Sequence, residues 1–211
     1  MNTEALIQDL AIKCTPVKPL RGPLVRCLQW VIASLAMMAS GVFILGPRGG
    51  NPISSEFTWT TPVLIGVSII AAVSAFSLTV PDIRNGRFYY LLATGLASWL
   101  GVLIYMLISG DGLDPHTHFL CVKRIIILST FPGMLLFYML RQAAPLKPKT
   151  VGVLALFSVL LLSCLGLDFV CPNSGTSHVL VWHLLPAAVL SSIGLFAGRL
   201  VFSRNLPGWR G

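Results

Sequence analysis

Six long apolar runs, joined by short polar connections, leave this chain one kind of environment to fold in. Residues 27–46, 58–80 and 88–108 hold no acidic or basic side chain, and 179–198 holds only His183 as an ionisable group. About 20 mostly apolar residues are needed for a helix to cross the hydrocarbon core of a bilayer. Two further runs, 125–140 and 151–167, are shorter before a charge interrupts them. Lys123 and Arg124 carry aliphatic stems that reach toward headgroups, so these runs extend to spans at 119–140 and 151–170. The expected fold is all-α: a polytopic membrane protein of six transmembrane helices behind a short cytoplasmic N-terminal tail. Only 10% of the 211 residues are charged, against roughly 25% in soluble domains, which leaves no room for a second, water-soluble domain. The division expected is a tail at 1–23, a membrane domain at 24–204 and a C-terminal tail at 205–211.

Charge placement gives the direction. With the N-terminus inside, the inner segments hold Lys13, Lys18, Arg21, Arg26, Arg84, Arg87, Arg141, Lys147, Lys149, Arg199, Arg204 and Arg210, which is 12 of the 15 basic residues. Arg48, Lys123 and Arg124 fall outside, together with Glu56, Asp111, Asp114 and Asp168. Lysine and arginine concentrate on cytoplasmic loops, so both termini are expected in the cytoplasm. The net charge of +8 is scattered in ones and twos between apolar runs, a pattern of membrane orientation and lipid contact rather than a phosphate-binding patch, and no direct nucleic-acid partner is expected. The first 23 residues are too polar for a cleaved signal and have no small-residue cleavage site in the right place.

The tail is the largest extramembrane element. Thr3 is placed to cap a short helix with Leu6, Ile7 and Leu10 on one side, stopped by Pro16 and Pro19. Those apolar residues have no core of their own, which leaves them to lie on the membrane surface or to dock a partner.

Catalytic signatures are missing. There is no Cys-x-x-Cys, no glycine-rich phosphate loop, no nucleophile elbow and no metalloprotease helix,, and His183 is the one ionisable group near a span's middle, where transporters place theirs. No enzyme activity and no cofactor are expected. The five cysteines separate by place: Cys14 and Cys27 lie on the inner side, and Cys164 lies within the fifth span, where a thiol usually packs. Cys121 opens the fourth span and Cys171 follows the fifth, so the topology brings both to the outer face although they are 50 residues apart. Consecutive antiparallel helices are usually neighbours, and in an oxidising compartment such a pair can form a disulfide or a redox switch. Lys123 and Arg124 beside Cys121 either stabilise its thiolate or anchor the helix. His116, His118 and His178 share that face, but the spacing is irregular for a zinc or copper site, and no metal set is expected. The Pro132–Gly133 pair and Pro186 are each expected to bend a span.

Three stretches together resemble the NrsF family. They are Leu6, Ile7, Gln8, Asp9 and Leu10 followed by Pro16, Val17, Lys18, Pro19 and Leu20; the inner loop of Leu140, Arg141, Gln142, Ala143, Ala144, Pro145, Leu146, Lys147 and Pro148; and Cys171–Pro172 followed by His178, Trp182 and His183. This resemblance implies a six-span membrane anti-sigma factor, a negative regulator of an extracytoplasmic-function sigma factor. It implies that the tail holds the sigma factor, with Leu6, Ile7, Asp9, Leu10, Val17 and Leu20 as the docking residues. It further implies that Cys121 and Cys171 sense redox or metal stress, and it marks Arg141, Pro145, His178, Trp182 and His183 as structural or signalling residues. A homo-oligomer is compatible with it. Two other readings compete: a small membrane oxidoreductase or transporter, which needs a polar cavity of substrate size, and a structural subunit of a larger membrane complex.

Overall fold

The computed structural model describes residues 2–13, 19–47, 55–80, 86–109, 119–143, 145–173 and 175–203. Every regular element among them is helical. The tail forms α1 (Thr3–Lys13). Five long helices follow: α2 (Pro23–Leu45), α3 (Ser55–Ser77), α4 (Gly86–Ser109), α5 (Phe119–Arg141) and α6 (Pro148–Asp168). The last span is composite, built from α7 (Thr176–Val179), a π-helical segment (Leu180–Leu184), α8 (Leu185–Ser191) and α9 (Gly194–Ser203). Six of these stretches are long and apolar enough to cross a membrane, and 23 residues of α-helix extend about 35 Å, enough for a hydrocarbon core of about 30 Å. The six-span reading of the sequence therefore holds. Thr3 does not cap α1, however: the cap is Asn2, whose Oδ1 accepts from the Glu4 amide at 3.4 Å, leaving Thr3 as the first helical residue.

The bundle is organised around α6, which packs on α3, α5 and α9. Its span is 83% buried, against 11% for α2 and 22% for α4. Lipid tails are as apolar as leucine, so helices in a bilayer associate through close packing and interhelical hydrogen bonds rather than through water exclusion. Both devices appear on α6. A Cβ on Gly152 would strike the Gly194 carbonyl oxygen, and one on Gly198 would strike the Pro148 carbonyl, so glycine at these positions lets the α6 and α9 backbones touch. Halfway along, Ser68 Oγ donates to the Ser158 carbonyl at 2.9 Å and Ser158 Oγ returns a bond to the Ser68 carbonyl at 2.7 Å, fixing the register of α3 on α6.

Helix α2 is tied to α5 at two depths. Trp30 Nε1 donates to the Pro132 carbonyl at 3.0 Å, and the Arg26 guanidinium donates to the Met139 carbonyl while lying 5.0 Å from the Phe76 ring centre. The start of α2 therefore sits beside the end of α5, at what we term the tail end of the bundle. The opposite end carries the start of α5, the end of α6 and the start of α7. Helix α5 runs unbroken through Pro132. Pro186 has a larger effect: without an amide hydrogen it cannot bond the Trp182 carbonyl, and one residue earlier the Leu185 amide reaches back five residues to the Leu180 carbonyl. The helix is thereby widened to a π-turn.

Candidate functional site: a buried cysteine and histidine cluster

Four side chains from three spans meet at the end of the bundle away from the tail. Cys121 lies on the first turn of α5. Cys171 follows α6 in a turn whose amide donates to the Leu167 carbonyl at 2.7 Å. His178 belongs to α7, and His183 to the π-segment. The two sulfurs are 3.4 Å apart, and His178 Nε2 is 3.6 Å from Cys121 Sγ and 3.4 Å from Cys171 Sγ. One donor atom from each of the four residues fits within a 4.8 Å span. All four are buried, at 1–3% exposure.

The π-turn explains why the histidines meet. Five residues along an α-helix rotate a side chain by about 500°, which puts positions 178 and 183 some 140° apart. A π-turn closes its hydrogen bond at the fifth residue, which brings that position back toward the same face. The two imidazoles accordingly pack edge to face with ring centres 5.3 Å apart. No metal set was expected from the sequence, where the histidines considered beside the cysteines were His116, His118 and His178; the fourth donor in the structure is His183, which the sequence had placed within the last span. His116 and His118, the other histidines considered there, lie outside the described residues.

Around the cluster, a further ring of contacts holds it in place. Asp168, the last residue of α6, places Oδ1 3.6 Å from His183 Nδ1. Arg124 Nη1 donates to the Val170 carbonyl at 3.3 Å, so this arginine pins the turn that carries Cys171. Cys164 Sγ donates to the His183 carbonyl at 3.5 Å. The Cys121 thiol beside it, and then the His183 imidazole, hold the Cys171 sulfur below the usual thiol range, against the opposing effect of burial. A thiolate is the reactive and metal-binding form of cysteine. The arrangement can form a disulfide or coordinate a thiophilic metal.

The other residues singled out from the sequence lie elsewhere. Trp182 is half-buried next to His183, Arg141 is exposed at the end of α5, and Pro145 is buried in the loop after it. On α1, Leu6, Ile7 and Leu10 are 39%, 62% and 57% exposed, with Ile12 more exposed still. Asp9 and Leu20 are exposed too, while Val17 and Cys14 lie outside the described residues. The sequence reading missed Asp168 as the neighbour of His183 and Arg26 and Trp30 as links between helices. A carboxylate closing an otherwise apolar span was the available signal for the first.

Compared with known protein families, residues 10–203 match the family described as NrsF, negative regulator of sigma F. The chain belongs to the NrsF family. No curated protein and no solved structure matches it. Membership makes negative regulation of a sigma factor the function at this level and a sigma factor the partner. Within the NrsF match lie both cysteines, both histidines and all six spans. Leu10 is its first residue, so Leu6, Ile7 and Asp9 stand ahead of it.

Proposed function

We propose that this NrsF-family chain is an anti-sigma factor of a bacterial inner membrane that sequesters an extracytoplasmic-function sigma factor at its cytoplasmic tail end. Release follows oxidation of Cys121 and Cys171 on the periplasmic side. The observation that carries this reading is the direct contact of those two sulfurs, 3.4 Å apart in a buried pocket. Two thiols at that separation need to close by only about 1.3 Å to bond. With a peroxide as oxidant, the Cys171 thiol takes one oxygen to become a sulfenic acid and releases water. The Cys121 thiol then attacks that sulfur, a second water leaves, and the disulfide remains.

At the other end, α1 offers Leu6, Ile7 and Leu10 to a partner. A segment of this size buries too little apolar surface to form a core alone, and it orders on the surface it docks to. Twelve of the 15 basic residues fall on the side assigned to the cytoplasm, which favours that orientation. The competing transporter or oxidoreductase reading calls for a polar cavity. Among the described residues, a recess of about 400 Å³ between α2 and α6 is lined by Leu35, Met38, Val42, Phe43 and Phe169, the chemistry of an acyl chain.

The test is co-purification of the sigma factor with the full-length chain in detergent, before and after peroxide treatment. Wild type is expected to hold the sigma factor when reduced and to lose most of it when oxidised, whereas Cys121→Ser and Cys171→Ser hold it in both states. Equal release from wild type and both variants would remove the cysteines from the mechanism.

A further inference from the structure

Cys121, Cys171, His178 and His183 match a closed zinc site in the number and type of ligands, and their four donor atoms lie within 4.8 Å of one another. Zinc in structural sites takes four sulfur and nitrogen ligands in a tetrahedron, at about 2.3 Å from sulfur and 2.0 to 2.1 Å from nitrogen. Donors at the corners of such a tetrahedron stand about 3.3 to 3.8 Å from one another. The three separations resolved here, 3.4, 3.6 and 3.4 Å, fall inside that range. We propose that these four residues bind one zinc ion. The proposal deepens the sensor reading, since it makes the sensing thiols metal ligands, but it stands on the four-residue geometry and not on the sigma factor.

Three further observations support a metal at this site, the first of them a divalent one. The first is charge. Two thiolates and two neutral imidazoles around a divalent ion sum to zero, which a buried pocket tolerates, whereas a monovalent ion would leave one uncompensated negative charge. Binding then releases to solvent the protons that the ligands still carry. The second is the neighbour behind the ligand: Asp168 faces His183 Nδ1 at 3.6 Å, which leaves Nε2 for the metal. Carboxylates in that position orient zinc-bound histidines and raise their basicity. The third is the π-turn, which turns His183 onto the face of His178. A widened turn is rare in helices and concentrates at functional sites. Two imidazoles and two sulfurs whose donor atoms gather in one buried volume have a common use in a shared cation.

The experiment is metal analysis of the full-length chain, purified in detergent after exposure to zinc and exhaustive dialysis, with helicity checked by circular dichroism. About one zinc per folded chain is expected. Substitution with cobalt(II) should give the strong visible bands and thiolate charge-transfer absorption of a tetrahedral site. Replacing both histidines, H178A with H183A, should drop retained zinc severalfold or more and abolish the cobalt spectrum in a chain that remains helical. Asp168→Asn should weaken zinc binding by about tenfold or more. Folded wild type that retains no zinc and gives no tetrahedral cobalt spectrum would overturn the site. So would zinc retained unchanged in the double histidine variant, or a cuprous ion held equally well by that variant through the two thiolates alone. None of these measurements needs the sigma factor, so failure of the metal site and failure of the anti-sigma reading are separately visible.

Discussion

The two ends of the molecule are finished to different degrees. At one end, Cys121, Cys171, His178 and His183 are enclosed, with their sulfur and nitrogen atoms facing one another. At the other, α1 leaves Leu6, Ile7, Leu10 and Ile12 uncovered. An enclosed polar cluster is costly unless its groups satisfy each other or share an ion, so its geometry is specified from within. An uncovered apolar helix is specified from outside, by whatever it eventually buries against. The bundle between them is bound by backbone contact and by hydrogen bonds that cross helices.

This contrast breaks most readily at the uncovered end. Replacing both Leu6 and Leu10 with Asp deletes two side chains each worth about 1.5 to 3 kcal/mol when buried. Sigma-factor affinity is expected to fall a hundredfold or more, as read by titration against the detergent-solubilised chain, while its thermal stability stays unchanged because those residues touch no core. Retained affinity would move docking to the loops around Arg84 or Arg141. A smaller effect is expected where the bundle is tightest. Gly152→Leu would force α6 and α9 apart and cost about 3 kcal/mol, lowering the thermal midpoint in detergent; an unchanged midpoint would mean that the two backbones do not need their contact. Smaller again is Trp30→Phe, which removes the donor to the Pro132 carbonyl and is expected to cost about 1 kcal/mol. A double-mutant cycle with Arg26→Met would then report whether the two links between α2 and α5 act together or separately.

Hydropathy made the six spans legible because the rule it reads, satisfying every backbone amide inside lipid, is strict. The approach of Cys121 to Cys171 was legible for a related reason: two consecutive antiparallel spans put the start of the first and the end of the second on one side. Which helix lies at the centre was not. All six are apolar; α6 has the highest mean hydropathy, 2.4 against 1.7 to 2.1, but in lipid that does not choose the centre, and the value of its small residues such as Gly152 and Ser158 depends on the partner opposite. The pairing of His178 with His183 was not anticipated, because the one was placed on the outer face and the other within the span. Pro186 carried the signal, but it reads as a bend until the Leu185 amide is seen to reach Leu180. The tail helix was anticipated while its cap was misplaced by one residue, because Asn2 and Thr3 are both good caps and only the backbone decides between them.

The bond from Arg26 to the Met139 carbonyl has a mechanical meaning. Met139 lies 18 residues along α5 from Cys121, about 27 Å of continuous helix, and Arg26 stands three residues past the start of α2, where the tail is rooted. Helix α5 is thus a connecting rod with a thiol at one end and the root of the tail clasped at the other. Any tilt or slide of that rod moves the point from which α1 hangs, without a signal having to pass through the packed interior of α6.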